Sequence, residues 1–155
     1  MKTSKLLVDL LKEKGLKIST AESITGGKII SSIIEIPGAS NITEQSYIVY
    51  SNQAKVNVLG VNKELLDAFG VVSEEVALEM ARRTKELTQA DIVISTTGEA
   101  GPNVNDQDII VGTVCFGLII DNKEFTHKRV LAGDRIGIID NATTYILNDL
   151  YYRLK

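Results

Sequence analysis

A chain of 155 residues, 44% hydrophobic and 24% charged, suits one domain (1–155) around one core and excludes a disordered or low-complexity protein. A formal net charge of −3 with no lysine-rich run argues against general nucleic-acid binding, which needs a basic patch. A single cysteine and a single histidine exclude an internal disulfide, a cysteine zinc site and a histidine ligand cluster.

The N-terminal stretch MKTSKLLVDLLKEKG spaces Leu6, Leu7, Leu10 and Leu11 at helix intervals and interrupts them with Asp9, Lys12 and Glu13. This predicts an amphipathic helix over 2–14 rather than a leader. With no apolar run near the roughly eighteen residues that span a bilayer, a cytoplasmic chain without membrane contacts is expected. Residues 16–22 read as a strand. Ile29, Ile30, Ile33 and Ile34 then repeat at helical spacing, predicting a helix over 25–36 that Pro37-Gly38 stops. SYIVYS at 46–51 is β-rich and reads as the second strand, with Asn52 capping a short helix over 53–60. A helix over 63–69 closes at Gly70. Ser73 caps a longer one with Glu74 and Glu75 in its first turn and Val76, Ala77, Met80, Ala81 and Leu87 on its apolar side. DIVISTT at 91–97 is the third strand. NVNDQDII at 103–110 lacks an apolar period and reads as a mobile loop. The fourth and fifth strands, 111–120 and 124–131, flank a turn at Asp121-Asn122, and Asp134 to Leu154 form the last helix. Strands alternating with helices, then a hairpin, predict an α/β fold: a mixed sheet with helices on both faces, in three layers.

The stretch ISTAESITGGKIISSIIEI at 18–36 organises this plan. A strand running through a glycine turn into a helix exposes a hydroxyl, at Ser23, beside the unpaired N–H donors of a helix start, which favour a phosphate or an oxyanion. Two readings stand: Ser23 or Thr25 caps the helix, or Ser23 carries chemistry. Lys55, in the first turn of the 53–60 helix, is either a solvated lysine or a base. Tyr50 is either a half-buried strand aromatic or a site residue. Cys115, inside the apolar run 111–120, reads as a buried structural thiol, and His127 as a surface or edge residue.

TAESITGG at 20–27, YSNQAK at 50–55, GVVSEEVALEMA at 70–81, TGEAGP at 97–102, VGTV at 111–114 and GDR at 133–135 together resemble the CinA C-terminal domain family, which includes the nicotinamide mononucleotide deamidases. The resemblance runs from about residue 5 to 150. It implies a serine amidohydrolase that converts nicotinamide mononucleotide to nicotinate mononucleotide and ammonia, placing the chain in pyridine nucleotide salvage. Ser23 would be the nucleophile, Lys55 its base and Tyr50 a proton relay or orienting group. Glu22 would position the loop, and the N–H groups of Thr25, Gly26 and Gly27 would hold the oxyanion. Asn52, Thr97, Gly98, Gly101 and Arg135 would contact the nucleotide. No metal or cofactor is implied, and a homodimer is the assembly the resemblance suggests. It also leaves two alternatives: a catalytically weakened nucleotide-binding module, or a competence- or damage-associated accessory protein. The sequence departs from the family pattern at Glu99, which stands where a small apolar residue is usual. Asn103-Val104-Asn105 stands in place of glycines, Ile109-Ile110 in place of Lys-Pro, and Ile139 in place of a second arginine. These changes make the presumed phosphate side less positive.

The lysine is the demanding member of the proposed pair. At its reference pKa of about 10.4 an amine is neutral in about one molecule in 2,500 at pH 7, so it can serve as base only if desolvated or crowded by positive charge. A direct ion pair with Glu22 would have the opposite effect.

Overall fold

The computed structural model describes residues 2–104, 106 and 108–155. Five strands form one mixed sheet in the order β2-β1-β3-β4-β5. They are β1 (Ile18–Glu22), β2 (Tyr47–Ile48), β3 (Ile92–Gly98), β4 (Thr113–Ile120) and β5 (Lys123–Val130). β1 runs parallel to β2 and β3, and β3-β4-β5 is an antiparallel meander. The helices are α1 (Thr3–Lys14), α2 (Lys28–Ile34), α3 (Asn52–Ala54), α4 (Lys63–Phe69), α5 (Glu74–Thr88) and α6 (Arg135–Leu154).

The strand period of two sorts the core into two halves. Ile92 and Ile94 of β3 and Val114, Phe116 and Leu118 of β4 point to one face, where they pack with α1, α2 and α6 through Leu7, Leu11, Ile29, Ile33, Ile146 and Leu150. On the other face Val93, Cys115 and Ile119 meet α5 through Ala77 and Ala81. Ala21, Val49, Leu59, Leu66 and Met80 extend that layer towards β2. This is the three-layer α/β/α arrangement expected. At Gly117 the approach is closest: a side chain there would run into the Ala77 carbonyl and the Ser95 hydroxyl, which itself donates to Ala77 O.

Several boundaries depart from the sequence expectation. α2 begins at Lys28 rather than 25, because Gly26 and Gly27 hold positive φ (57° and 100°) and keep the chain in a turn until there. β2 is two residues long instead of six: after Val49 the chain turns away to start α3. The cap of α3 is Ser51, whose hydroxyl accepts from Ala54 N at 3.0 Å, and Asn52 is the first helical residue. Leu87 lies 49% exposed in the last turn of α5, where Thr84 takes the inward position. Of the loop expected over 103–110, positions 105 and 107 lie outside the described residues. Among the described residues no helix is long and apolar enough to cross a membrane.

Candidate active site

The carboxyl ends of the parallel strands β1 and β3 meet the start of β4 at one edge of the sheet, the crevice where open α/β sheets gather ligand-binding groups. Ser23 follows β1 directly and is held there by its own N–H, which donates to Thr96 O on β3 at 3.1 Å. The turn Ser23–Gly27 then closes with Gly26 N on Ser23 O at 3.2 Å and Lys28 N on Thr25 O at 3.0 Å. Neither Ser23 nor Thr25 caps α2. That position is taken by Glu22, wholly buried, whose carboxylate accepts from Gly27 N (3.1 Å), Ile29 N (2.9 Å) and Ile30 N (3.0 Å) and from the hydroxyls of Thr20 (2.8 Å) and Thr25 (2.7 Å). A carboxylate at the positive end of a helix, fully hydrogen-bonded, fills the anion site that the sequence reserves for a ligand. The N–H groups of Gly26 and Gly27, expected as oxyanion donors, are therefore engaged by Ser23 O and by Glu22.

Lys55 arrives from the other side. α3 passes at Lys55 into a single π-helical turn, Lys55–Leu59, that Gly60 ends with φ 77°. The wider turn stands beside the site, a common location for such irregularities. The ammonium stem is swallowed by the core: Lys55 is 1% exposed and Ser23 is 7% exposed. Nζ lies 2.9 Å from Ser23 Oγ and 3.2 Å from the Tyr50 carbonyl, and the Ser23 hydroxyl reaches the same carbonyl at 3.4 Å. Burial draws the lysine pKa down to about 8, because the charged form loses its water. With the Glu22 carboxylate turned to α2, the ion pair that would have reversed this effect does not form.

Tyr50 enters the site differently from the sequence expectation. Its backbone carbonyl joins Ser23 and Lys55, while its ring is 64% exposed and its phenol oxygen accepts from Arg135 Nη2 at 3.0 Å. Arg135, the first residue of α6, also donates to Gly101 O at 2.6 Å, so it ties the loop after β3 to the loop before α3. Ser23, Tyr50, Asn52, Lys55, Thr97, Gly98 and Arg135 line one cleft, whereas Glu22, Thr25, Gly26, Gly27 and Gly101 are not among its lining residues. Thr97 Oγ1 donates to Val71 O at 2.8 Å, anchoring the segment before α5.

Sequence reasoning did not single out Ile24, Val71, Val72, Ala100 and Asp106 as lining residues, and it named Glu99 and Ile109 only as departures from the family pattern. Val71 and Val72 sit between Gly70 and the Ser73 cap, and that break between two helices was the available signal. Two other residues are not among those lining the cleft. Cys115 is buried, its thiol pushed up to about 11 by burial. His127 is on the edge strand but mostly covered, with its ring nitrogens 3.3 Å from the Tyr145 hydroxyl and 3.2 Å from Asp149 of α6.

Comparison with known proteins agrees with this architecture. The family model described as the CinA C-terminal domain matches residues 1–154. A CinA-like protein of Fusobacterium nucleatum is 47% identical over 140 residues, 90% of this chain and 34% of that protein. A CinA-like protein of Kosmotoga olearia is 44% identical over 143 residues, 92% of this chain and 35% of that one. The chain thus spans about a third of the length of these curated relatives. Among solved structures, a competence or damage-inducible protein from Enterobacter asburiae superposes with a TM-score of 0.95 at 34% identity, over 99% of this chain and 96% of that one. A CinA superfamily protein from Enterobacter cloacae gives 0.94 at 32% identity, over 100% and 94%.

Proposed function

We propose, from the premise that the chain belongs to the CinA C-terminal domain family, that it is a serine amidohydrolase acting on the carboxamide of a nicotinamide nucleotide. The observation that carries this reading is the 2.9 Å contact between Ser23 Oγ and a buried lysine amine. A serine hydroxyl becomes a useful nucleophile when a neighbouring base takes its proton. An amine with a pKa of about 8 is neutral in about one molecule in ten at pH 7, against about one in 2,500 for an ordinary lysine.

In the proposed cycle neutral Lys55 accepts the Ser23 proton as Oγ forms a bond to the amide carbon, and the carbonyl π electrons move to oxygen. Collapse of the tetrahedral adduct breaks the C–N bond. The Lys55 ammonium returns its proton to the departing nitrogen, which leaves as ammonia. Water then attacks the acyl-serine, Lys55 takes a proton from it, and collapse expels Ser23 Oγ, which regains that proton. The sum is amide plus water to acid plus ammonia, with Lys55 neutral at both ends. The tetrahedral oxygen must find donors other than Gly26 and Gly27, which are engaged elsewhere.

Ammonia release from nicotinamide mononucleotide, followed with a coupled dehydrogenase, tests the reading. Turnover that vanishes in Ser23→Ala supports it. Undiminished turnover in Ser23→Ala, or none in the parent chain at high enzyme, removes it.

A further inference from the structure

Lys55 is a buried amine with more donors than partners. An ammonium carries three N–H donors and no acceptor. Nζ has two acceptors, Ser23 Oγ at 2.9 Å and the Tyr50 carbonyl at 3.2 Å, and neither bears a formal charge. Among the described residues the third donor has no acceptor, although Lys55 is 1% exposed and lines the cleft. No surrounding group supplies a counter-ion. The Glu22 carboxylate bonds the start of α2, and α5 meets this turn with the apolar side chains of Val76 and Met80. Of the other titratable groups lining the cleft, Arg135 bonds Gly101 O and the Tyr50 phenol, and the acids Glu99 and Asp106 are not bonded to Nζ. A buried charge in this position is destabilising until its proton leaves or an anion arrives.

The proposed hydrolysis makes such an anion at this spot. Deacylation breaks the bond between the acyl carbon and Ser23 Oγ, so the new carboxyl group is released beside an atom 2.9 Å from Nζ. It is released next to a neutral amine. The acid O–H bond then breaks and an N–H bond forms, leaving a carboxylate against an ammonium. With a carboxyl pKa of about 4 and an amine pKa of about 8, the proton favours nitrogen by about 10⁴. Resting on the amidohydrolase reading above, we propose that Lys55 and Ser23 form a carboxylate site that retains the acid product, a pyridine carboxylate, and that this product inhibits the enzyme while the amine is protonated. The third N–H of Lys55 donates to one carboxylate oxygen. The Ser23 hydroxyl, whose contact with Tyr50 O is long at 3.4 Å, turns to the other, and both bonds are charge-assisted. An uncharged carboxamide offers no counter-ion, so the residue that activates Ser23 also separates product from substrate by charge. Rising pH discharges the amine, releases the acid and frees the base in one step.

The test is calorimetric titration of the parent chain with nicotinate mononucleotide, the product of the proposed reaction, from pH 7.5 to 9.5, where its phosphate stays a dianion. The apparent Kd is expected to rise about 25-fold over this range, the factor by which an amine of pKa about 8 empties of protons. Titrations in buffers of different ionisation enthalpy should show about 0.9 proton taken up per acid bound at pH 9 and about 0.1 at pH 7. In ammonia-release assays the acid should compete with the amide, with a Ki that follows the same curve. Lys55→Met should bind the acid weakly and with a flat pH profile, and the parent-chain series decides the matter without it should that variant fail to fold. A Kd constant within about twofold from pH 7.5 to 9.5, or no proton uptake at pH 9, overturns the inference. An anion held by Arg135, charged throughout that range, would give such a profile. If the parent chain still releases ammonia from the mononucleotide, the amidohydrolase reading stands. Neither ammonia release nor acid binding removes both.

Discussion

Glu22 and Lys55 are two charged residues buried to the same degree, 0% and 1% exposed, with opposite outcomes. Glu22 ends a strand with five donors on its carboxylate, three of them main-chain N–H groups of Gly27, Ile29 and Ile30 at the start of α2. Lys55 has two acceptors, a serine hydroxyl and a main-chain carbonyl, neither carrying a formal charge. Glu22 sits at the positive end of a helix among five donors, whereas Lys55 has only two neutral acceptors and its pKa is drawn down by burial. The difference separates an element of scaffold from a reactive group. Burial alone does not mark a functional residue; burial left uncompensated does.

The strongest way to break the contrast is to remove the uncompensated member. Lys55→Met should lower kcat/KM for amide hydrolysis by about 10⁴-fold or more, the scale for a nucleophile stripped of its base, measured by ammonia release at saturating enzyme. Its fold should survive. Glu22→Gln strikes the compensated member, replacing an acceptor-only group by an amide and weakening five bonds. We expect about 3 kcal/mol of lost stability, read as a fall in Tm of about 10 °C.

The same Lys55→Met variant sharpens the comparison through its stability. The native pKa of Lys55, about 8, lies below the value of 10.5 for a free lysine, so between these pH values the unfolded chain binds more protons than the folded one. Folding is penalised most below pH 8, and the penalty is relieved as pH rises towards 10.5. Lys55→Met should therefore raise stability at pH 7 by up to about 3 kcal/mol, with the gain shrinking above pH 8, in paired denaturant titrations. In the parent chain kcat/KM should rise about tenfold per pH unit below pH 8 and level above it, and a flat profile from pH 6 to 9 would remove Lys55 as base. The smallest effect is expected at Tyr50→Phe. It deletes the phenol bonded to Arg135 but keeps the carbonyl, so kcat/KM should change about threefold or less and the pH midpoint should stay in place.

Much of the layer plan was legible because the period of apolar residues changes cleanly from helix to strand along the chain. Ile29 and Ile33 face inward as their spacing demands, and Val76, Ala77, Met80 and Ala81 do the same in α5. Local signals failed where a distant or main-chain group overrode them. The start of α2 could not be read from nearby Ser and Thr, because its cap is a carboxylate that reaches in from the preceding strand. The length of β2 was hidden because SYIVYS has the composition of a strand, while the chain past Val49 is turned by the Ser51 cap. The meeting of Ser23 and Lys55 was suggested by motif resemblance; nothing in the spacing of residues 32 positions apart implies a 2.9 Å contact. The part played by Tyr50 was invisible for a simpler reason. Every residue has a carbonyl, so sequence carries no mark of which one is used.

That last feature has an evolutionary consequence. Since the acceptor shared by nucleophile and base belongs to the peptide chain, replacement of the side chain at position 50 leaves it in place. Descendants of this protein can alter the mouth of the cleft there, trading one clientele for another, without dismantling the apparatus that attacks the amide. Changes that reroute the backbone, such as loss of the hydroxyl that starts α3 at Ser51, act on that apparatus directly.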